Sequence, residues 1–207
     1  MIAEAIRRSP LADYAERFAA LHEATNGAIS IRELPFLTQI NLRAEPDQAM
    51  PQRLADVLGL ALPLTPNTVA SSANHRALWL GPDEWLIVGA ADEARAIEHS
   101  MRDAVTGATA SIVDVSANRT VMLIQGERAQ ELLAHGIAID LHPRSFGPCR
   151  CAQTLLAKTQ VLIERIDEEE GFRMFVPSSF ASYVAEWLMD AGSNEMRSGL
   201  SEAAWDG

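Results

Sequence analysis

Ala77-Leu78-Trp79-Leu80-Gly81-Pro82-Asp83-Glu84-Trp85-Leu86-Ile87-Val88-Gly89 is the stretch on which the reading of the whole chain turns. Two apolar runs flank a Gly-Pro-Asp-Glu link. Leu, Ile, Val and Trp suit a half-buried pleated surface, and Gly81-Pro82 cannot sit inside a strand, so the stretch predicts a tight β-hairpin. Its turn type stays open, because neither Asn-Gly nor Asp-Gly is present. Trp79 and Trp85 read as core or interface anchors, with a stacking platform for a flat ligand as the alternative.

Upstream of the hairpin, Phe36, Thr38, Ile40 and Leu42 alternate with Leu37, Gln39, Asn41 and Arg43, as in a strand with one buried face. A helix over 51–58 brings Leu54, Val57 and Leu58 together and ends near Gly59. Residues 61–76 read as a connection with a short strand near 68–71. Downstream, Ala94, Ile97, Met101 and Ala104 recur at helical spacing up to Gly107, and 110–115 reads as a strand.

The same order then recurs. A strand over 119–125 breaks at Gly126, and a helix over 127–135 turns Ala129, Leu132 and Leu133 inward. Strands at 152–156 and 160–166, an acidic turn at 167–170 and a strand over 172–176 follow. Ser178 or Ser179 is expected to cap a last helix with the stripe Phe180, Val184, Trp187, Leu188 and Ala191, which Gly192 should end. Strand, helix, connection, hairpin and helix thus occur twice, at 34–105 and 119–191, each unit close to the split β-α-β arrangement of a ferredoxin-like half. The expected class is α+β, a duplicated ferredoxin-like core over 28–192. Residues 1–27 read as a helical arm, its helix over 11–24 opened by Ser9-Pro10 and stopped by Asn26-Gly27. Residues 193–207 read as an acidic tail whose Trp205 could tuck into a partner groove.

The chain has 207 residues, 48% of them hydrophobic and 22% charged, as in a soluble globular protein with one large domain or two small ones. A formal charge of −11 argues against nucleic acid or an anionic membrane as partner. No apolar run approaches the roughly 20 residues that cross a bilayer. Nothing apolar follows Arg7-Arg8, so no signal peptide is expected. Cys149 and Cys151 stand too close for an unstrained bridge, and no second ligand pair accompanies them. They read as reduced thiols of a cytoplasmic protein.

Residues that carry chemistry are sparse. His22, His75, His99, His135 and His142 are scattered, with no metal-ligand spacing on one helix face. Phosphate-cradling glycine loops and a nucleophile elbow are absent. The carboxylates at Asp83-Glu84 and 167–170 fall in turns, where water solvates them and no pKa shift toward working pH arises. No catalytic, cofactor-binding or metal-ligating residue is therefore assigned. Asp114 and Arg119 flank Ser116-Ala117-Asn118 and could form a turn-fixing ion pair, or contact a ligand or a neighbouring subunit.

Five blocks resemble the gamma-subunit family of heterotetrameric sarcosine oxidases. They are Arg8-Ser9-Pro10-Leu11-Ala12, the hairpin Trp79 to Leu86, Val113-Asp114-Val115-Ser116-Ala117-Asn118-Arg119, Leu132-Leu133-Ala134-His135-Gly136-Ile137-Ala138-Ile139-Asp140-Leu141-His142-Pro143, and Phe175-Val176-Pro177-Ser178-Ser179-Phe180-Ala181. They run in family order along nearly the whole chain. Gln125-Gly126-Glu127-Arg128-Ala129 and Arg165 to Phe172 resemble, more distantly, the folate-binding glycine-cleavage T-protein family. That likeness implies a T-protein-like duplicated ferredoxin-like core, here without the C-terminal barrel. Where T-protein relatives carry acidic residues ahead of the first hairpin, this chain reads Ala73-Asn74-His75-Arg76, and Arg173 replaces the final Glu of their second signature.

The resemblance implies a non-catalytic subunit working beside alpha, beta and delta chains that carry FAD, FMN, NAD and tetrahydrofolate sites. Together they would convert sarcosine and oxygen, with tetrahydrofolate, to glycine, hydrogen peroxide and 5,10-methylenetetrahydrofolate. The alternatives are a stand-alone folate-dependent aminomethyl or methyl transferase, or a small-molecule-binding regulatory domain. Trp79, Trp85, Asp114, Arg119, Phe146 and Trp205 are the candidate interface or relic-pocket residues. An exposed apolar patch is expected from the 1–27 arm, Trp205 and the loop around Phe146.

Overall fold

The computed structural model describes residues 7–45, 50–166 and 171–202. Its first elements are α1 (Ala15–Ala24), β1 (Ser30–Leu34) and β2 (Leu37–Ala44), followed by α2 (Met50–Leu58) and β3 (Val69–Ser71). The tryptophan hairpin is β4 (Arg76–Gly81) and β5 (Glu84–Ala91), and α3 (Ala94–Ala104) and β6 (Ala110–Asp114) complete the first half. The second half holds β7 (Arg119–Gln125), α4 (Ala129–Ala134), β8 (Cys151–Leu156), β9 (Thr159–Arg165) and β10 (Gly171–Pro177). A 3₁₀ turn (Ser178–Phe180) then leads into α5 (Ala181–Glu202). The acidic turn read at 167–170 and Trp205 lie outside the described residues.

One sheet runs β3-β4-β5-β2-β6 and the other β1-β7-β10-β9-β8, every neighbouring pair antiparallel. The two orders superpose strand for strand: β6 on β1, β2 on β7, β5 on β10, β4 on β9, β3 on β8. In the first half, the edge beside β2 is filled by β6, the strand that follows α3, which makes two interleaved split β-α-β units. In the second half, the corresponding edge beside β7 is filled by β1, from the other end of the chain. The duplication is therefore real but permuted. Sequence alternation does not single out β1, because its five residues lean on a partner strand far along the chain, from Ser30 opposite Gln125 to Leu34 opposite Val121.

The sheets face each other across Val69, Leu78, Leu86 and Val88 on one side and Val121, Cys151, Leu162 and Phe175 on the other. Helices cover the outer faces. Leu54 and Leu58 of α2 and Ile97 and Met101 of α3 close over Ile40, Leu42, Trp85 and Ile87. Phe18 and Leu21 of α1, Leu132 and Leu133 of α4, and Val184 and Leu188 of α5 close over Met122, Ile163 and Met174. The central strands are thus buried on both faces, which is why β5 reads as an apolar run rather than an alternation.

Three expected boundaries are corrected. The first helix starts at Ala15, not at 11, because residues 10–13 make turns in which Tyr14 N donates to Leu11 O at 2.9 Å. Ser9 cannot cap it, since its hydroxyl donates to Glu33 Oε2 of β1 at 2.6 Å. Ser178 is likewise spent elsewhere, donating to Ala117 O at 2.9 Å rather than capping the last helix. Finally, α5 runs through Gly192 to Glu202. Gly192 is a site of close approach: a Cβ there would stand 3.2 Å from Leu21 Cδ1 and 3.5 Å from Ile29 Cδ1. Gly126 is a different case. Its φ of +107° and a Cβ position 2.3 Å from Ala28 O leave no room for a side chain where β7 turns into α4.

Gly126→Ala should destabilise the fold by about 3 kcal/mol, a strained φ combined with a backbone clash, read as a lowered midpoint in urea unfolding. Gly192→Ala should stay within about 1 kcal/mol of the parent, because helix propensity offsets slight crowding, whereas Gly192→Leu should cost about 2 kcal/mol by prising α5 from α1. A helix stop at 192 would instead penalise any Cβ, so Gly192→Ala would cost about as much as Gly192→Leu. Burial, and next the nearby Glu164, push the Cys151 thiol up to about 12, while Cys149 is exposed. Titration with a thiol-reactive chromophore at pH 8 should therefore label one cysteine in the native protein and both after unfolding.

Candidate functional site

Trp79 and Trp85 oppose each other across the hairpin. Trp85 is fully buried, and its Nε1 donates to Pro63 O at 2.8 Å. It fills the space beneath α2 and α3, a position from which it reaches neither a partner chain nor a flat ligand. Trp79 is half-buried against the same cluster. Phe146 is also buried, packed with the α4 and α5 residues rather than contributing to an exposed patch. The arm behaves similarly, since Leu11, Phe18 and Leu21 are all core. Among the described residues, the large apolar side chains that do stand exposed are Val57, Leu64, Val113, Leu155, Phe180 and Tyr183.

Asp114 does not pair with Arg119. Its Oδ1 accepts from Ser116 N at 2.9 Å and from Ser116 Oγ at 2.5 Å, which makes a local turn. The connection from β6 to β7 is clamped by buried Gln39 of β2, the strand beside β6 in the same sheet. Gln39 N donates to Ser116 Oγ at 2.9 Å and its Nε2 donates to Arg119 O at 2.9 Å. Arg119 itself is turned into a cavity of about 460 Å³ that Ala138, Gln153, Leu155, Leu162 and Pro177 also line. Burial holds its guanidinium below the ordinary arginine range, opposed by the charge of Glu84.

At the opposite end of the sandwich the inner face turns polar. Register places Arg32, Leu123, Arg173, Glu164 and Cys151 in one row across β1, β7, β10, β9 and β8. From the facing sheet, Arg76 Nη1 donates to Glu164 Oε1 at 2.7 Å, and Arg173 Nη1 approaches the same oxygen at 3.5 Å. Glu164 is 1% exposed, and its Oε2 has no hydrogen-bond partner. These residues, with Ser71, Ser72 and Gln125, line a second cavity of about 380 Å³. Arg165 alternates to the other face, donating to Gln130 Oε1 at 3.3 Å with its guanidinium 4.7 Å over the Phe172 ring. His75 is held by Leu58 O at 3.0 Å, which locks the loop before the hairpin onto the end of α2.

Sequence reasoning misses Arg32, Arg76, Glu164 and Arg173. The available signal was phase: Glu164 and Arg173 stand at positions where Leu162 and Phe175, two residues away, face the other sheet. Among the described residues, no group of three or more His, Cys, Asp or Glu could hold a metal ion, and no helix is long and apolar enough to cross a membrane.

Comparison with known proteins identifies the family. The model of the sarcosine oxidase, gamma subunit family matches residues 43–194. The chain is 38% identical over 189 residues to the sarcosine oxidase subunit gamma of Corynebacterium sp. (strain U-96), covering 91% of each. It superposes on a chain of the heterotetrameric sarcosine oxidase from Corynebacterium sp. U-96 with a TM-score of 0.83 at 35% identity, over 91% of this chain and 95% of that one. A likeness of fold alone extends to the glycine cleavage system aminomethyltransferase T of Bartonella henselae. There the TM-score is 0.65 at 14% identity, over 89% of this chain and 57% of that one. The α+β class read from the repeat, realised here as two antiparallel sheets, is thus shared with both structures. The chain belongs to the sarcosine oxidase gamma subunit family.

Proposed function

We propose that this chain serves as the gamma subunit of a heterotetrameric sarcosine oxidase and contributes assembly rather than chemistry. The observation that carries this reading is the likeness, over nearly its whole length, to a chain of a solved sarcosine oxidase heterotetramer. The partners are the alpha, beta and delta subunits, in the cytoplasm, with neither nucleic acid nor membrane involved. FAD, FMN, NAD and tetrahydrofolate belong to those sister chains. The complex oxidises sarcosine with oxygen and passes the one-carbon unit to tetrahydrofolate, yielding glycine, hydrogen peroxide and 5,10-methylenetetrahydrofolate. This chain packs against the large folate-domain subunit and helps enclose the reactive imine, which bulk water would hydrolyse.

Two local features support a structural part. The loop Ala73-Asn74-His75-Arg76, where a folate-using relative would need a carboxylate, is instead pinned to α2 through His75 and to Glu164 through Arg76. Leu64, Val113, Leu155 and Phe180 stand 46% or more exposed and supply apolar surface for sister chains to cover.

Co-expression with the three sister subunits should yield a coloured assembly whose mass includes this chain. Leaving the chain out should abolish the intact assembly or its sarcosine-dependent peroxide production and one-carbon transfer. If the chain stays apart and activity is unchanged, the proposal fails. Tetrahydrofolate binding by the lone chain would then favour the aminomethyltransferase reading, and amino-acid binding without turnover the regulatory one.

A further inference from the structure

We propose that the cavity between β1, β4, β9 and β10 is a binding site for a small dianion, a dicarboxylate or a phosphate monoester. Three guanidinium groups converge there. Arg32 and Arg173 stand in one cross-strand row of the first-to-tenth-strand sheet, and Arg76 reaches in from the sheet opposite. Only one carboxylate, that of Glu164, meets them among the described residues, and both of its recorded contacts fall on a single oxygen. Arg76 and Arg173 share that oxygen, while the Arg32 side chain makes neither an ion pair nor a hydrogen bond with the described residues. Among the described residues this leaves three guanidinium groups against one carboxylate, with the Arg76 and Arg173 side chains only 31% and 20% exposed and Arg32 exposed at the mouth.

Like charges brought together out of water repel one another, and a fold keeps them so when an oxyanion completes the set. The Arg173 guanidinium records that crowding: burial lowers its pKa first, Glu164 opposes the shift, and Arg76 and Arg32 both add to it. Guanidinium forks donate in pairs to carboxylate or phosphate oxygens, so three of them around one space select a ligand carrying two negative charges. The volume of about 380 Å³ exceeds what a bare ion needs and suits a small organic dianion. Ser71 at the rim is exposed and adds a hydroxyl. The anion would screen Arg32 from Arg173 and hold β4 against β10, so it would brace the open end of the sandwich.

The test is calorimetric titration of the full chain at low ionic strength with succinate and with inorganic phosphate, using succinamide as the uncharged control. Wild type should bind at least one of the two dianions, with affinity falling as salt rises, and should not bind succinamide. Arg32→Gln, which removes an exposed side chain with no partner among the described residues and leaves folding intact, should weaken binding by about tenfold or more. Arg173→Gln should do the same, with thermal unfolding as the check that the chain still folds. Absence of dianion binding up to about 10 mM, or equal binding by wild type and Arg32→Gln, overturns the proposal. The same titration on the assembled complex separates sources. Binding retained there supports a small-molecule site, whereas binding lost there means a sister chain's own carboxylate fills the cavity and overturns the small-molecule assignment.

Discussion

Five residues of β1, laid antiparallel along β7, carry the connection on which the second half of this protein depends. Without them β7 would be an edge strand, its outer backbone groups unpaired. The strand is held on by more than its ladder. Glu33 accepts from Ser9 Oγ at 2.6 Å and from Thr120 Oγ1 at 2.5 Å, which ties the arm, β1 and β7 through one half-buried carboxylate. Ala28 O lies where a Gly126 side chain would be, so the corner closes at backbone distance. Arg17 of α1 and Tyr14 just before it both donate to Glu186 of α5, but these groups are exposed and such pairs contribute little. Most of the docking energy comes from burying Leu11, Phe18 and Leu21, at about 2 kcal/mol for each side chain.

Because that strand comes from before the first half, the second half cannot complete its sheet from its own sequence. Contacts between residues 30–34 and 121–125 are strongly non-local. Pairings of this kind form late, after the loop-closure entropy of the intervening chain has been overcome. The first half has no such dependence, since β6 follows α3 directly and pairs with β2 inside one continuous segment. Two halves with the same strand order therefore differ in autonomy.

The space between the sheets is not uniform. Around Val121, Phe175 and Leu162 it is apolar and closed against Leu78 and Leu86. One row further along the strands it holds Arg173, Glu164 and Arg32. A buried ion pair gains little net stability over apolar packing, so the Arg76–Glu164 contact is better understood as fixing how the sheets align than as strengthening them. The shared fold with an aminomethyltransferase does not carry that enzyme's activity across, because chemistry resides in particular side chains grafted on a scaffold. Here the side chains at the loop before β4 are turned to packing, with His75 on α2 and Arg76 on the opposite sheet.

Local patterns in the chain were enough to determine most of the elements and their order. Apolar runs around Gly81-Pro82, helical spacing at Ala94, Ile97 and Met101, and glycines at 59 and 107 each act over a few residues, so a short window contains the whole cause. The resemblance blocks sufficed in the same way for the family. Tertiary structure alone decided three things. It placed 30–34 at the edge beside β7, which no window shorter than the chain can show. It carried α5 through Gly192, where the missing side chain serves Leu21 and Ile29 on distant elements rather than a local stop. And it gathered Arg32, Arg76, Glu164 and Arg173 from four strands, while leaving Asp114 and Arg119 apart despite their nearness in sequence. Sites assembled across strands depend on register and on which sheet faces which, and those are properties of the packed chain, not of any segment of it.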